Sequence, residues 1–329
     1  MRQVSKNNDI PPVSRLFACF LGVLFGLAIS QPVRAQGKAE PQSPCVPSDL
    51  NALIVSAGKT LQVHENREQS NGKGSASDMA TLSSYALSGL DEQQRKRAYK
   101  VFSKQARQSN AAAMTNLAVA SMAGWGGRPD TGAALYWLNA AADRRYGPAF
   151  YDLGILYFKA CGVRQDLAEA FRFFELGAKG GYAAAQVNLG YFYDHGLGVA
   201  QDQAAAAHWY LLAAESGEAQ AQYNLGDLYL HGEGIPRDES IAFTWFQKAA
   251  LQGHTGARIM VGSMLAAGRG TSKDLAGAYF WILGSVLQGD PRGVPLLRTL
   301  EHQLPGAEIE EAKARAKLLQ GGLQASKNR

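Results

Sequence analysis

Apolar and polar positions alternate in a pattern that predicts pairs of helices. From Ala183 to His195, Leu189, Gly190 and Tyr193 fall at helical spacing. Gly196-Leu197-Gly198 then ends the pattern, because glycine adopts a left-handed helix cap at little cost. Asp202 follows, and Gln203 to Glu215 carries a second helical run that Gly217 stops. An aspartate at that point can cap the first free N–H groups of the second helix. Two helices with a short connection form an antiparallel hairpin.

The same unit recurs along the chain. Asp130, Asp166, Asp202, Asp238 and Asp274 step by 36 residues, as do Trp137, Phe173, Trp209, Trp245 and Trp281. Gly154, Gly190, Gly226 and Gly262 share that step, with Ala118 in the first copy. A period in this range signals a stacked repeat architecture. The expected fold is therefore all-α, an α/α solenoid of 36-residue helix–turn–helix repeats. A mid-helix glycine costs about 1 kcal/mol against alanine, so its recurrence implies close helix–helix approach. The tryptophans are expected to anchor the second helices. Alanine pairs such as Ala213-Ala214 and Ala249-Ala250 let the next unit dock closely.

Five full units are expected. The first four start near Ala111, Gly147, Ala183 and Ala219, and a helix pair follows at Thr255. Asp91 to Ala113 aligns with Asp166 onward after a shift of 72, so the array begins with a lone second helix. After Trp281 the pattern decays, and Gly306 to Gln320 reads as an amphipathic, charged helix. Atypical end units are expected where a solenoid must cover its exposed core.

The flanks differ in character. Residues 1–35 resemble a cleavable export signal: Arg2, Lys6 and Arg15 precede an apolar run from Leu16 to Ile29, and Val33-Arg34-Ala35 offers a cleavage site after Ala35. That run is shorter than the ~20 residues a spanning helix needs, and no other segment is apolar enough to span a membrane. Residues 36–85 are composed like a linker, with Pro41, Pro44, Pro47 and the stretch QSNGKGSASD. The solenoid with its caps is expected over 86–329. These boundaries place the mature protein in the periplasm or outside the cell.

Charge then narrows the partners. The net charge of +5 shrinks once the first 35 residues are removed, leaving 29 basic and 27 acidic residues. No concentrated basic face is visible, which argues against nucleic acid. Cys45 and Cys161 remain in the mature chain, and an exported protein could pair them. Their positions alone do not set the geometry a disulfide needs. Two cysteines do not suggest a metal site.

The segments Ala185–Gly217 and Ala221–Gly253 resemble Sel-one-like repeats, bacterial relatives of the tetratricopeptide repeat. Alanine, leucine-glycine, tyrosine, the glycine loop, aspartate, tryptophan and the alanine pair all fall in register. The resemblance covers residues 111–289 directly and 91–320 with caps. Departures are modest: Ala160-Cys161-Gly162 loses one loop glycine, and Ser121 replaces tyrosine in the first unit. The resemblance implies a right-handed superhelix that mediates protein–protein contacts.

Each first helix also carries a second apolar stripe, although one stripe suffices for packing. In tetratricopeptide relatives the corresponding face lines a concave groove. Carried along the array, it gives Tyr151, Ile155 and Phe158, then Val187, Tyr191 and His195, then Tyr223, Asp227 and His231. Such a surface suits an extended peptide or a partner helix. The plainer alternative is that these side chains pack between turns or against the N-terminal segment.

Catalytic signals are weak. His195 and His231 are one repeat apart, too far for one ion at a helix spacing of about 10 Å, and read as polar residues at helix ends. His208 and Asp202 share a helix without a nucleophile. The Gly-x-Gly loops follow helices and lack the strand and lysine of a phosphate cradle. Asn116, Asp152, Asn188 and Asn224 form a further 36-step row expected to hold backbone between units. No catalytic residue, cofactor or metal is expected. The leading expectation is a non-enzymatic interaction module that binds a protein or peptide segment as adaptor or regulator. The alternative is an envelope scaffold in contact with peptidoglycan or another envelope glycan, with a hydrolase a distant third.

Overall fold

The computed structural model describes residues 91–327, with side chains to residue 318. The expected leader over 1–35 and linker over 36–85 lie outside the described residues.

Among the described residues there are thirteen helices and no strand. A lone helix, α1 (Glu92–Arg107), comes first. The first helices of the five units are α2 (Ala111–Met122), α4 (Gly147–Lys159), α6 (Ala183–His195), α8 (Ala219–His231) and α10 (Thr255–Ala267). Their second helices are α3 (Thr131–Ala142), α5 (Leu167–Lys179), α7 (Gln203–Glu215), α9 (Glu239–Leu251) and α11 (Leu275–Val286). Two further helices follow, α12 (Gly293–Glu301) and α13 (Gly306–Lys327). Each first helix packs on its own second helix and on the second helix of the preceding unit. α12 and α13 both pack on α11 and close that end. This is an α/α solenoid.

The aspartates fulfil the expected role. Asp130, Asp166, Asp202, Asp238 and Asp274 are the N-cap residues of α3, α5, α7, α9 and α11. Each carboxylate accepts the backbone N–H three residues on, at 2.8–3.0 Å. Each such cap is worth about 1 kcal/mol. The first helices mostly end on a glycine in the left-handed region: Gly196, Gly232 and Gly268. In the second unit Ala160 takes this place at φ 57°, although a Cβ disfavours that conformation by roughly 1–2 kcal/mol.

The core is set one residue away from the tryptophans. Leu138, Phe174, Tyr210, Phe246 and Ile282 also step by 36 and are each at most 1% exposed. Trp137, Trp209 and Trp245 are only half-buried, and Trp281 is 9% exposed. The deep residues explain the glycines. A Cβ on Gly190 would stand 2.7 Å from the Tyr210 ring, and one on Gly226 would stand 2.9 Å from the Phe246 ring. Gly154 faces Phe174 and Gly262 faces Ile282 in the same way. In the first unit Ala118 stands at the glycine position and Leu138 at the large one, both within the same buried core.

A second row ties units together. Gln186 and Gln222 donate from Nε2 to the carbonyls of Ala178 and Ala214, near the ends of the preceding second helices. Arg258 stands at the next step and donates from Nε to Ala250 O at 3.1 Å and from Nη1 to Gly284 O at 2.7 Å. The carbonyls of Ala178, Ala214 and Ala250 already accept a backbone N–H from the turn after their helices, so these side chains supply a second bond that crosses from one unit to the next.

Candidate functional site

The second stripe of the first helices is partly covered by the N-cap residue of the next first helix, 31 positions on. Tyr151 meets Tyr182 edge-on, with ring centroids 5.8 Å apart. Tyr223 stacks on His254 at 4.6 Å and contacts Phe246 at 5.5 Å. Burial pushes both tyrosine hydroxyls up to about 12. These side chains therefore serve the joints between units as well as the face.

The remaining predicted residues vary in access. Ile155 is buried at 5% exposure, whereas Phe158, Val187, Tyr191 and Asp227 are half-buried. Phe158 packs edge-on against Phe192 at 5.3 Å, and Lys159 reaches over its ring. His195 and His231 are exposed at the C-terminal ends of α6 and α8.

The most accessible of these residues lie on α6 and α8, where Asp194 on α6 feels the charge of Asp227 on α8. The Tyr191 ring lies 4.1 Å from that of His195, whose Nδ1 is 3.2 Å from Tyr191 O and 3.6 Å from Asp194. His231 Nε2 lies 3.5 Å from Asp227 Oδ1. Burial holds the Asp194 carboxyl above its ordinary range; His195 counters this, while Glu233 and Asp227 add to it. His231 is shifted upward by its bond to Asp227. The result is an aromatic and acidic patch bordered by two histidines. Among the described residues, no group of three or more His, Cys, Asp and Glu is placed to hold a metal ion.

His254 was not apparent from the sequence as a member of this face. It is the N-cap of α10: its Nδ1 accepts from Ala257 N at 3.0 Å, and its Nε2 lies 3.2 Å from Gln220 Oε1. Both bonds are made when the ring is neutral with its proton on Nε2. Protonating Nδ1 would break the cap. Burial, with Arg292 nearby and Asp290 opposing, pulls its pKa down to about 4. An unfolded histidine near 6.5 takes a proton that the folded one refuses. Its contribution is therefore complete above about 6.5 and is lost as pH falls from there toward 4, by roughly 2–3 kcal/mol. His231 acts in the opposite sense, favouring the fold below about 6.5 and losing its contribution as pH rises through its elevated pKa. His254→Asn keeps a capping acceptor without titrating. Urea unfolding between pH 7 and pH 4.5 should lose clearly less stability in this variant than in the unaltered chain.

The Sel1 repeat family profile matches residues 111–146, 148–182, 183–218, 219–254 and 256–290. That is more than half of the chain, and the protein belongs to the Sel1 repeat family. Repeats of this family typically form non-catalytic modules that bind protein partners. Among solved structures, it is similar to a protective antigen present in uropathogenic Escherichia coli strains, which displays an SLR fold. The two are 27% identical with a TM-score of 0.63, and the match covers 72% of this chain. The chain spans about half the length of that antigen, 54%. A Sel1 repeat protein from Oxalobacter formigenes, 23% identical with a TM-score of 0.60, shares the fold over 70% of this chain and 98% of its own. No curated protein sequence matches the chain. No helix among the described residues is long and apolar enough to cross a membrane.

Proposed function

We propose that the protein is an exported adaptor or regulator that holds an extended segment of a partner protein against its first helices. The patch formed by Tyr191, Asp194, His195, Asp227 and His231 carries this reading. It combines a half-buried aromatic side chain with carboxylates on adjacent helices, and such anchors with a polar surround make good peptide contacts. Its acidic character favours a segment bearing cationic side chains. The basic, apolar and small-residue order of positions 1–35 supports export to the periplasm or beyond.

A displayed library of random peptides selected on the full chain tests the binding reading. Enriched peptides should combine basic and aromatic residues. A folded Tyr191→Ala, Asp227→Lys variant should bind them at least tenfold more weakly, while Tyr136→Ala, on a second helix, should bind them normally. Undiminished binding by the double variant would overturn the assignment. Tyr151 and Tyr223 are poor choices for this test, because their rings also pack between units.

A further inference from the structure

Folding gathers a basic stripe on α1 that the linear order of residues disguises. The helix holds Arg95, Lys96, Arg97, Lys100, Lys104 and Arg107 against Glu92. At about 100° per residue, Lys96, Arg97, Lys100, Lys104 and Arg107 fall within roughly 100° of arc. That arc lies opposite the buried residues Ala98, Phe102 and Ala106. All five cations are exposed. Lys96 pairs with Glu92, and among the described residues Arg97, Lys100, Lys104 and Arg107 have no ion pair. The expected absence of a concentrated basic face thus fails at this one helix. We propose that the stripe is a docking site for an anionic phospholipid surface.

Closing the end of the array does not explain a single sign of charge. An end unit needs a polar outer face, and α13 at the other end supplies one with both signs. Its described residues hold Glu308, Glu310 and Glu311 with Lys313, Arg315 and Lys317, and Lys313 bonds Glu310 at 2.8 Å. In α1, by contrast, Lys96, Lys100 and Lys104 follow one another at a spacing of four. Like charges at that spacing repel and destabilise a helix. An anionic surface would relieve this repulsion at every step.

The shape of the stripe favours a bilayer. Five cations lie along about 16 Å on the outer side of a straight helix, so a flat surface meets all of them at once. Val101, 38% exposed, stands at the edge of the stripe, and the lysine stems add apolar length beneath their charges. Interfacial helices gain from such apolar contact at the headgroup boundary, whereas a nucleic-acid backbone does not. The rings of α1 are turned away from the stripe: Phe102 is buried, and a Cβ on Gly126 would stand 2.5 Å from Tyr99. No ring is therefore offered for stacking on bases. The stripe is separate from the patch on α6 and α8, so this proposal and the partner reading fail separately.

Lysine acetylation in the full chain tests the proposal. One sample carries vesicles of one part phosphatidylglycerol to three parts phosphatidylcholine, and the other carries phosphatidylcholine alone. Lys100 and Lys104 should react at least fivefold more slowly on the anionic vesicles. Lys248 on α9 and Lys317 on α13, both exposed, should react alike on the two. The protection should vanish in about 0.5 M sodium chloride, which screens surface charge within a few ångströms. Each Lys or Arg near an anionic leaflet strengthens adsorption roughly fivefold. Arg97→Gln, Arg107→Gln keeps the buried side of α1, and this variant should lose the protection while its circular dichroism stays the same. Equal rates at Lys100 and Lys104 on the two vesicles would overturn the proposal. So would equal protection of Lys317, or protection that survives in the variant. Protection by a duplex oligonucleotide with none by the vesicles would assign the stripe to nucleic acid instead and overturn the lipid reading.

Discussion

Phe246→Ala is expected to destabilise the array by about 3–5 kcal/mol, the range for removing a fully buried aromatic ring. Phe246 is completely buried, and it fills the space that Gly226 leaves open. It also touches Tyr223, which in turn stacks on His254 of the next unit. Removing the ring therefore loosens a unit and its joint together. Stability in a solenoid is close to a sum of unit and nearest-neighbour terms, so loss at this interior position should weaken both flanking joints. Trp245→Ala provides the contrast. That ring is half-buried, with Lys248 Nζ 3.9 Å from its centroid, and its removal should cost clearly less. Urea unfolding followed by circular dichroism decides the matter. Equal losses in the two variants would show that the core is not organised around the residue after the tryptophan. Gly226→Ala adds a further check, because its Cβ would press on the same ring. Its penalty should shrink when Phe246 is replaced by leucine, since contacting sites are not additive.

Arg258→Ala is expected to cost about 3 kcal/mol. The guanidinium is fully buried, and that burial lowers its pKa. Its hydrogen bonds go to the carbonyls of Ala250 and Gly284. Ala250 O keeps its bond from Gly253 N, so truncation chiefly removes the donor to Gly284 O, at roughly 1–3 kcal/mol, and opens a cavity. Arg258→Gln should lose less. Glutamine already makes the bond to the preceding second helix at positions 186 and 222, but it falls short of Gly284. Thermal unfolding should thus rank the unaltered chain above Arg258→Gln, and Arg258→Gln above Arg258→Ala. An Arg258→Ala chain as stable as the original would mean that these bonds contribute nothing net.

Much of this architecture was legible because a helix hairpin repeats its local needs at a fixed interval. Each second helix needs a cap, so aspartate recurs. Each unit needs one close crossing, so glycine recurs. The sequence reading named the tryptophan row as anchors and did not single out the deeper row beside it, for a simple reason. Tryptophan is the largest apolar type, but one residue along a helix turns the side chain by 100°, and that turn carries Phe246 inward and leaves Trp245 at the margin. The candidate face on the first helices was proposed from a second apolar stripe. What the stripe did not reveal is that Tyr182 and His254 cover parts of it, because those contacts cross 31 residues and depend on how units stack. The row Tyr146, Tyr182, Glu218 and His254 does step by 36, and it was the available signal.

The central claim is that partners bind along the first helices. A benzophenone side chain placed at position 191 and, separately, at position 136 tests it most directly, using a peptide selected on the full chain. Irradiation should couple the peptide efficiently at position 191, with the adduct mapping to α6 and α8, and leave position 136 unmodified. Coupling at position 136 with none at position 191 would place the binding surface on the second helices and contradict the account.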